Sequence, residues 1–174
     1  MRPSQSFAPI TAPDATILIL GSLPGQRSLA EQQYYAQPRN AFWKIMGALF
    51  DAGPELPYAE RTERLTRNAI ALWDVVASAE RPGSLDSAIV PSSVVVNNFR
   101  GLFETHAGIE LVCFNGTKAA ELYDRQVLPT FDGDFDHIRY ERLPSTSPAH
   151  AAMRYEEKLE RWSVALAAAN PGTL

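Results

Sequence analysis

Two kinds of apolar spacing alternate along the chain, and each predicts a different element. Residues 16–20 are an Ile- and Leu-rich run closed by Gly21, the pattern of a strand buried on both faces. Residues 69–76, Glu110–Phe114 and 138–143 repeat that pattern and predict three more strands. Between them the spacing becomes helical. A short helix is expected over Ser28–Gln33. A second, opened by Pro38 and stopped at Ala52-Gly53-Pro54, carries Phe42, Trp43, Ile45, Met46, Leu49 and Phe50. A charged amphipathic helix is expected over 58–68, a short one over Asn98–His106, and one capped by Thr117 running to about Val127. The last is expected from His150 to Ala169, with Tyr155, Leu159, Trp162 and Leu166 on one face. Residues 77–92 read as loop around the turn signal Pro82-Gly83, and 132–136 as a turn.

Strands alternating with helices predict an α/β fold, a three-layer α/β/α sandwich around a central, mainly parallel sheet of about four strands. With 174 residues and no repeat, low-complexity segment or linker, residues 1–174 are expected to form one domain. Met1–Pro13, with three prolines, reads as an extended lead-in to the first strand.

Composition narrows the function classes. The chain is 45% hydrophobic, but no apolar run approaches the roughly 20 residues that span a bilayer. The N-terminal stretch lacks an apolar signal core, so the expected location is cytoplasmic, with no membrane partner. A single cysteine, Cys113, excludes an intramolecular disulfide framework and any four-cysteine zinc or iron–sulfur site. It is expected to be buried as a small hydrophobe. His106, His137 and His150 show no ligand spacing, and neither metal nor cofactor is expected. A net charge of −4 does not advertise nucleic-acid binding, yet a local patch can act despite the global sign. Arg27, Arg39, Lys44, Lys118, Arg139, Arg142 and Arg154 lie in or near candidate loops, although solvated faces are the ordinary explanation for most.

The chemistry concentrates in two loops at strand ends, one near each end of the chain. The first strand spills into Gly21-Ser22-Leu23-Pro24-Gly25, followed by the polar and aromatic stretch 33–43. The last ends in Pro144-Ser145-Thr146-Ser147-Pro148-Ala149-His150. Open α/β sheets bind ligands outside the carboxyl ends of their strands, so both loops are expected to face one cleft. Gly21 and Gly25 permit close ligand approach, but the segment is neither GxGxxG nor a P-loop, and a plain strand-to-helix turn would read the same. Asn40 has two open roles, a helix N-cap or an amide that orients a water. Tyr34, Tyr35, Phe42 and Trp43 offer flat faces to a planar base, or pack as core. Asn115 either reads the edge of a heterocycle or simply turns the chain before Gly116. The hydroxyls of Ser145, Thr146 and Ser147 suit phosphates together with amides at the start of the last helix, or cap that helix.

Taken jointly, GSLPGQRSL, QQYYAQPRNAFW and LPSTSPAHA resemble the motifs of the uracil-DNA glycosylase superfamily, in particular its hypoxanthine-DNA glycosylase (DNA-deoxyinosine glycosylase) branch. The resemblance spans residues 17–155, with Gln37 standing where histidine is common. It implies an α/β/α sandwich and a monofunctional DNA glycosylase of base excision repair. Such an enzyme flips a deaminated base, most simply hypoxanthine, from damaged double-stranded DNA and hydrolyses its N-glycosidic bond as a monomer. The resemblance makes Asn40 the catalytic residue. It makes Asn115 a base reader beside Gly21, Ser22, Tyr35, Phe42 and Trp43. It places Ser145, Thr146, Ser147, Pro148 and His150 on the DNA. Related branches carry an aspartate in the first motif or an iron–sulfur cluster, and this chain has neither that aspartate nor the cysteines. The alternatives are a mismatch-specific uracil or thymine glycosylase, since hypoxanthine and uracil both show a carbonyl beside an N–H, and a catalytically silent DNA-binding protein of the same fold.

Overall fold

Unbroken apolar runs need cover on both sides, and the computed structural model, which describes residues 1–169, gives it to them. Strands β2 (Ile17–Gly21), β3 (Ile70–Asp74) and β6 (Leu111–Asn115) are buried at every position. With β7 (Arg139–Leu143) they form a four-stranded parallel sheet in the order β3-β2-β6-β7. Alternate residues point to opposite faces. Leu18, Leu20, Ala71, Trp73, Val112 and Phe114 enter one core, and Ile17, Ile19, Ile70, Leu72, Leu111 and Cys113 enter the other.

Helices close both faces. Phe99, Leu102 and Phe103 of α4 (Phe99–Thr105) and Leu122 and Tyr123 of α5 (Thr117–Gln126) pack on the first. On the second lie α2 (Phe42–Phe50), α3 (Tyr58–Arg67) and α6 (Tyr155–Ala169), through Phe42, Ile45, Leu65, Trp162 and Leu166. The result is the expected α/β/α sandwich with a parallel sheet. Cys113 is buried, and burial pushes its thiol up to about 12, which makes it inert at neutral pH. The polar strand β7 is an edge, exposed along much of its length.

Several boundaries moved. The lead-in is built into the fold: β1 (Ser4–Gln5) pairs antiparallel with β4 (Val76–Ala79), which also pairs with β5 (Val95–Val96). Ile10 bridges Leu72, and the Trp73 indole N–H donates to the Phe7 carbonyl at 2.9 Å. This small second sheet replaces part of the loop expected at 77–92, its strands being too short to show as alternation. The first helix, α1, covers Gln26–Glu31. Helix α2 starts at Phe42, leaving Pro38 and Asn40 in a turn before it. Gly116 rather than Thr117 is the N-cap of α5. Helix α6 starts at Tyr155 and not at His150, so the Ser145–Ser147 hydroxyls do not cap it. Residues 170–174 of the expected domain lie outside the described residues.

Candidate active site

In sheet order, β2 connects to β3 on one side and the chain then returns to β6 on the other. The crevice between the carboxyl ends of β2 and β6 is therefore a topological switch point, where open sheets take ligands. A cleft of about 720 Å³ opens there, between Gly21 at the end of β2 and Asn115 at the end of β6. Both candidate loops line it, as expected, and so does a third segment, Ser84–Asp86.

That third segment is welded to the first loop. The guanidinium of Arg81, only 3% exposed, donates to the carbonyls of Leu23 (3.2 Å), Gly83 (3.0 Å) and Pro24. The Ser22 hydroxyl donates to Asp86 at 2.5 Å, so that hydroxyl serves the loop rather than standing free for a ligand. Gln26 adds bonds from its backbone to the Ser84 hydroxyl and from its side chain to the Gly83 carbonyl.

The second loop is organised around Thr146, which is 1% exposed. Its N–H donates to Asn115 Oδ1 at 2.9 Å, its Oγ1 accepts from Asn115 Nδ2 at 2.9 Å, and its carbonyl accepts from Ala41 N–H at 3.0 Å. One buried threonine thus ties together the end of β6, the second loop and the residue after Asn40. Two expectations change as a result. Thr146 faces inward and cannot reach a phosphate through its side chain. Asn115 uses both ends of its amide to hold Thr146, keeping one N–H and one lone pair for anything in the cleft. Gly116, at φ +99°, lets the loops close together: a Cβ there would lie 3.1 Å from Ser145 Cβ.

Ser145 Oγ accepts from Ser147 N–H, and Ser147 Oγ accepts from Ala149 N–H. These are the ordinary turn bonds of such hydroxyls. Each hydroxyl retains its O–H donor, and both residues line the cleft. Pro148 and His150 line the same wall, and Lys158 reaches back from α6 to bond the His150 carbonyl at 2.8 Å. Arg39 and Lys118 supply positive charge at the cleft, while Lys44 lies over the Tyr155 ring and Arg142 pairs with Asp124.

Asn40 is half-buried in the cleft lining. Its Oδ1 accepts from Phe42 N–H at 2.9 Å, which steadies the turn before α2, but the N-cap of that helix is Ala41 rather than Asn40. Of the four aromatics, Tyr35 and Tyr34 line the cleft. Phe42 and Trp43 do not, which corrects the sequence expectation. Phe42 stacks behind Tyr35, with centroids 4.0 Å apart at 26°, and the Trp43 indole donates to the Tyr34 carbonyl from the core. Tyr35 is thus a flat wall with a rigid backing. Its backbone is left-handed, at φ +55°, a conformation that costs about 1–3 kcal/mol in a non-glycine residue and that clusters at functional sites.

Asp74 is the residue that sequence reading passed over, because it closes an apolar strand and matches no motif. It pairs in register with Gly21, lines the cleft and is 3% exposed. Burial, and then the charge of Asp86, push its carboxyl up to about 7, with Arg81 opposing. Its Oδ2 and the Tyr35 hydroxyl are buried with no hydrogen-bond partner among the described residues. Burial and Asp74 also hold the Tyr35 phenol far above its ordinary range, so it stays a neutral donor. Gly21 makes room for both: a Cβ there would sit 2.7 Å from Asp74 Oδ1 and 3.0 Å from the Tyr35 hydroxyl. The only sequence hint was an acidic residue at the carboxyl end of a buried strand. Among the described residues, no group of three or more His, Cys, Asp or Glu side chains is placed to hold a metal ion, and no helix is long and apolar enough to cross a membrane.

Sheet order, cleft position and loop chemistry give an α/β/α protein with a flat-walled cleft at the switch point. Residues 8–169 match the family model of the uracil DNA glycosylase superfamily, and the chain belongs to that superfamily. It is 38% identical over 138 residues to a hypoxanthine DNA glycosylase of Methanosarcina acetivorans, covering 74% of this chain and 86% of that one. A hypoxanthine DNA glycosylase of Methanosarcina barkeri is 39% identical over 118 residues, covering 67% and 73%. The solution NMR structure of a candidate uracil DNA glycosylase from Methanosarcina acetivorans superposes with a TM-score of 0.78 at 32% identity, over 97% of this chain and 99% of that one.

Proposed function

We propose that this protein is a DNA repair glycosylase that hydrolyses the N-glycosidic bond of a deaminated base, hypoxanthine in the first place, flipped out of double-stranded DNA. The observation that carries the reading is the cleft at the switch point. It has the Tyr35 wall on one side and the Asn40 amide at its edge. The names of the relatives at 38–39% identity support hypoxanthine as the substrate.

The reacting C1′ is hidden in a stacked duplex, so the nucleotide must leave the stack, at a cost of a few kcal/mol that is lowest at a mismatched or damaged pair. Arg39 and Lys118 attract the backbone, and the Ser145 and Ser147 O–H groups donate to phosphates flanking the flipped nucleotide. The base slides against Tyr35. Cleavage passes through an oxocarbenium-like state, with positive charge on the sugar and negative charge on the departing base. Asn40 cannot take a proton near neutral pH. Its NH2 and dipole hold a water near C1′ in attacking position. The enzyme acts as a monomer on the DNA of the cytoplasm.

An alkali-cleavage assay on duplexes containing inosine, uracil or xanthine tests this. The expected result is abasic-site formation fastest at inosine. Faster cleavage at uracil would move the assignment to a uracil glycosylase. Damage-selective binding with no abasic site on any duplex would overturn the enzymatic reading in favour of a silent DNA-binding protein.

A further inference from the structure

Among the described residues, two buried polar atoms of the cleft have no hydrogen-bond partner, and they lie on the same side of it. Asp74 Oδ2 and the Tyr35 hydroxyl are both buried, unpaired and gathered over Gly21. A buried polar atom without a bond costs about 1–3 kcal/mol. Such an atom calls for a reason, and a catalytic or binding role is one. The surroundings of Asp74 decide what kind of completion it offers. The cation nearest in charge, Arg81, directs its guanidinium at the Leu23, Pro24 and Gly83 carbonyls and forms no bond to the Asp74 carboxylate. From the same segment Asp86 faces it, held by the Ser22 hydroxyl. From the opposite wall come Tyr35, Tyr34 and, behind them, Tyr58, none of which carries positive charge. Two carboxyls thus lie close enough to repel, one hydrogen-bonded to Ser22 and one with an oxygen left unpaired among the described residues. That is the arrangement by which environments separate an acid from its charged neighbour.

We propose that Asp74 is the general acid of the reaction: its neutral carboxyl bonds an acceptor atom of the flipped base through Oδ2–H and gives that proton to the base as it departs. This rests on the glycosylase reading. As the C1′–N bond breaks, its electron pair goes to the base. The O–H bond of Asp74 breaks with it, and the proton passes to a ring nitrogen of a purine, so the base leaves neutral. Water adds to C1′, and the proton it loses returns to Asp74 through solvent. The sum is one nucleotide residue plus water giving an abasic sugar plus free base, with the carboxyl restored. Tyr35, also neutral, donates a second hydrogen bond to the base without transferring a proton.

The protonation state is right for this at neutral pH. Burial raises the carboxyl to about 7, so the protonated form is populated near neutral pH. Bound phosphates add negative potential and favour the protonated form further.

Single-turnover release of hypoxanthine from an inosine duplex between pH 5.5 and pH 9 tests the assignment. The wild-type rate should be flat at low pH and fall about tenfold per pH unit above roughly pH 7. Asp74→Asn keeps a donor of the same size without a transferable proton. Its rate should be independent of pH and about 10²- to 10⁴-fold below wild type at pH 6, with duplex affinity little changed. Asp86→Asn removes the facing negative charge and should move the wild-type fall to lower pH. Chemical unfolding of each variant at the same pH controls for folding. A wild-type rate that rises with pH through this range would make Asp74 a base and overturn the proposal. So would an Asp74→Asn variant with the wild-type rate or profile. A wild type that releases no base from any duplex overturns the glycosylase reading and this role together, a result distinct from either.

Discussion

Two buried polar residues end the strands on either side of β2, and they have been treated differently. Asn115 at the end of β6 is bonded at both ends of its amide to Thr146. Asp74 at the end of β3 has an oxygen with no partner among the described residues and a carboxyl pushed up to about 7. The satisfied residue is a fastener: through Thr146 it holds the second loop and the Ala41 N–H, and so sets where Asn40 stands. The unsatisfied residue is a cost to the fold, and costs of that kind persist at functional sites. A motif-based view ranks these two the other way round, since asparagine after a strand is recognisable and an aspartate inside an apolar run is not.

On the fastened side of the comparison the largest effect should come from Asn40, which the Asn115–Thr146 fastener positions. Asn40→Ala should lower base release by about 10²–10³-fold, with loss of one turn bond, about 1 kcal/mol of stability. Wild-type release rates in the variant would remove Asn40 from the reaction. Next, Asn115→Ala leaves the buried Thr146 N–H and hydroxyl without their partner, at about 2–4 kcal/mol, read from the urea midpoint. A loss under about 1 kcal/mol would mean that the fastener is unimportant.

Asp74→Asn should do the opposite and stabilise. The fold binds the Asp74 proton more tightly than the unfolded chain, where the value is the ordinary 3.8. Wild-type stability is therefore lost as pH rises from about 4 through about 7. The variant escapes that loss and should be more stable at pH 8 by on the order of 1–3 kcal/mol. The advantage should shrink towards pH 4, as melting temperatures across that range would show. Gly21→Ala pushes a methyl group into Asp74 Oδ1 and the Tyr35 hydroxyl and should cost about 1–2 kcal/mol together with base release. Ser147→Ala, at the outer wall, should change stability by no more than about 0.5 kcal/mol. It should weaken duplex binding slightly and equally for damaged and undamaged DNA.

The fold was legible because its core strands are apolar throughout, and a strand buried on both faces must be. The helices showed in the spacing of Phe42 to Phe50 and of Tyr155 to Leu166, one face of each being required to cover the sheet. The small sheet did not show, since two-residue strands such as Ser4–Gln5 carry no periodicity. The start of the last helix was misplaced because Pro148 and His150 suit a helix start as well as they suit a turn. At the site, Tyr35, Asn40, Asn115 and the second loop were placed by motif and lie around one cleft. Phe42 and Trp43 were assigned to the base although they back its wall. Aromatic spacing shows that a face is apolar, and only packing shows whether it faces core or cleft.

What the sequence determined by itself was the set of elements, their parallel arrangement and the two loops that must meet, because burial of each apolar run and the direction of each connection are local consequences of residue order. Which polar groups find partners was decided only by the tertiary structure. Thr146 meets Asn115 across 31 residues, Ser22 meets Asp86 across 64, and Arg81 reaches Leu23 across 58. Satisfaction of a buried polar atom depends on distance in space, which residue order does not carry. For that reason Asp74 becomes visible only once its neighbours in the folded chain are known.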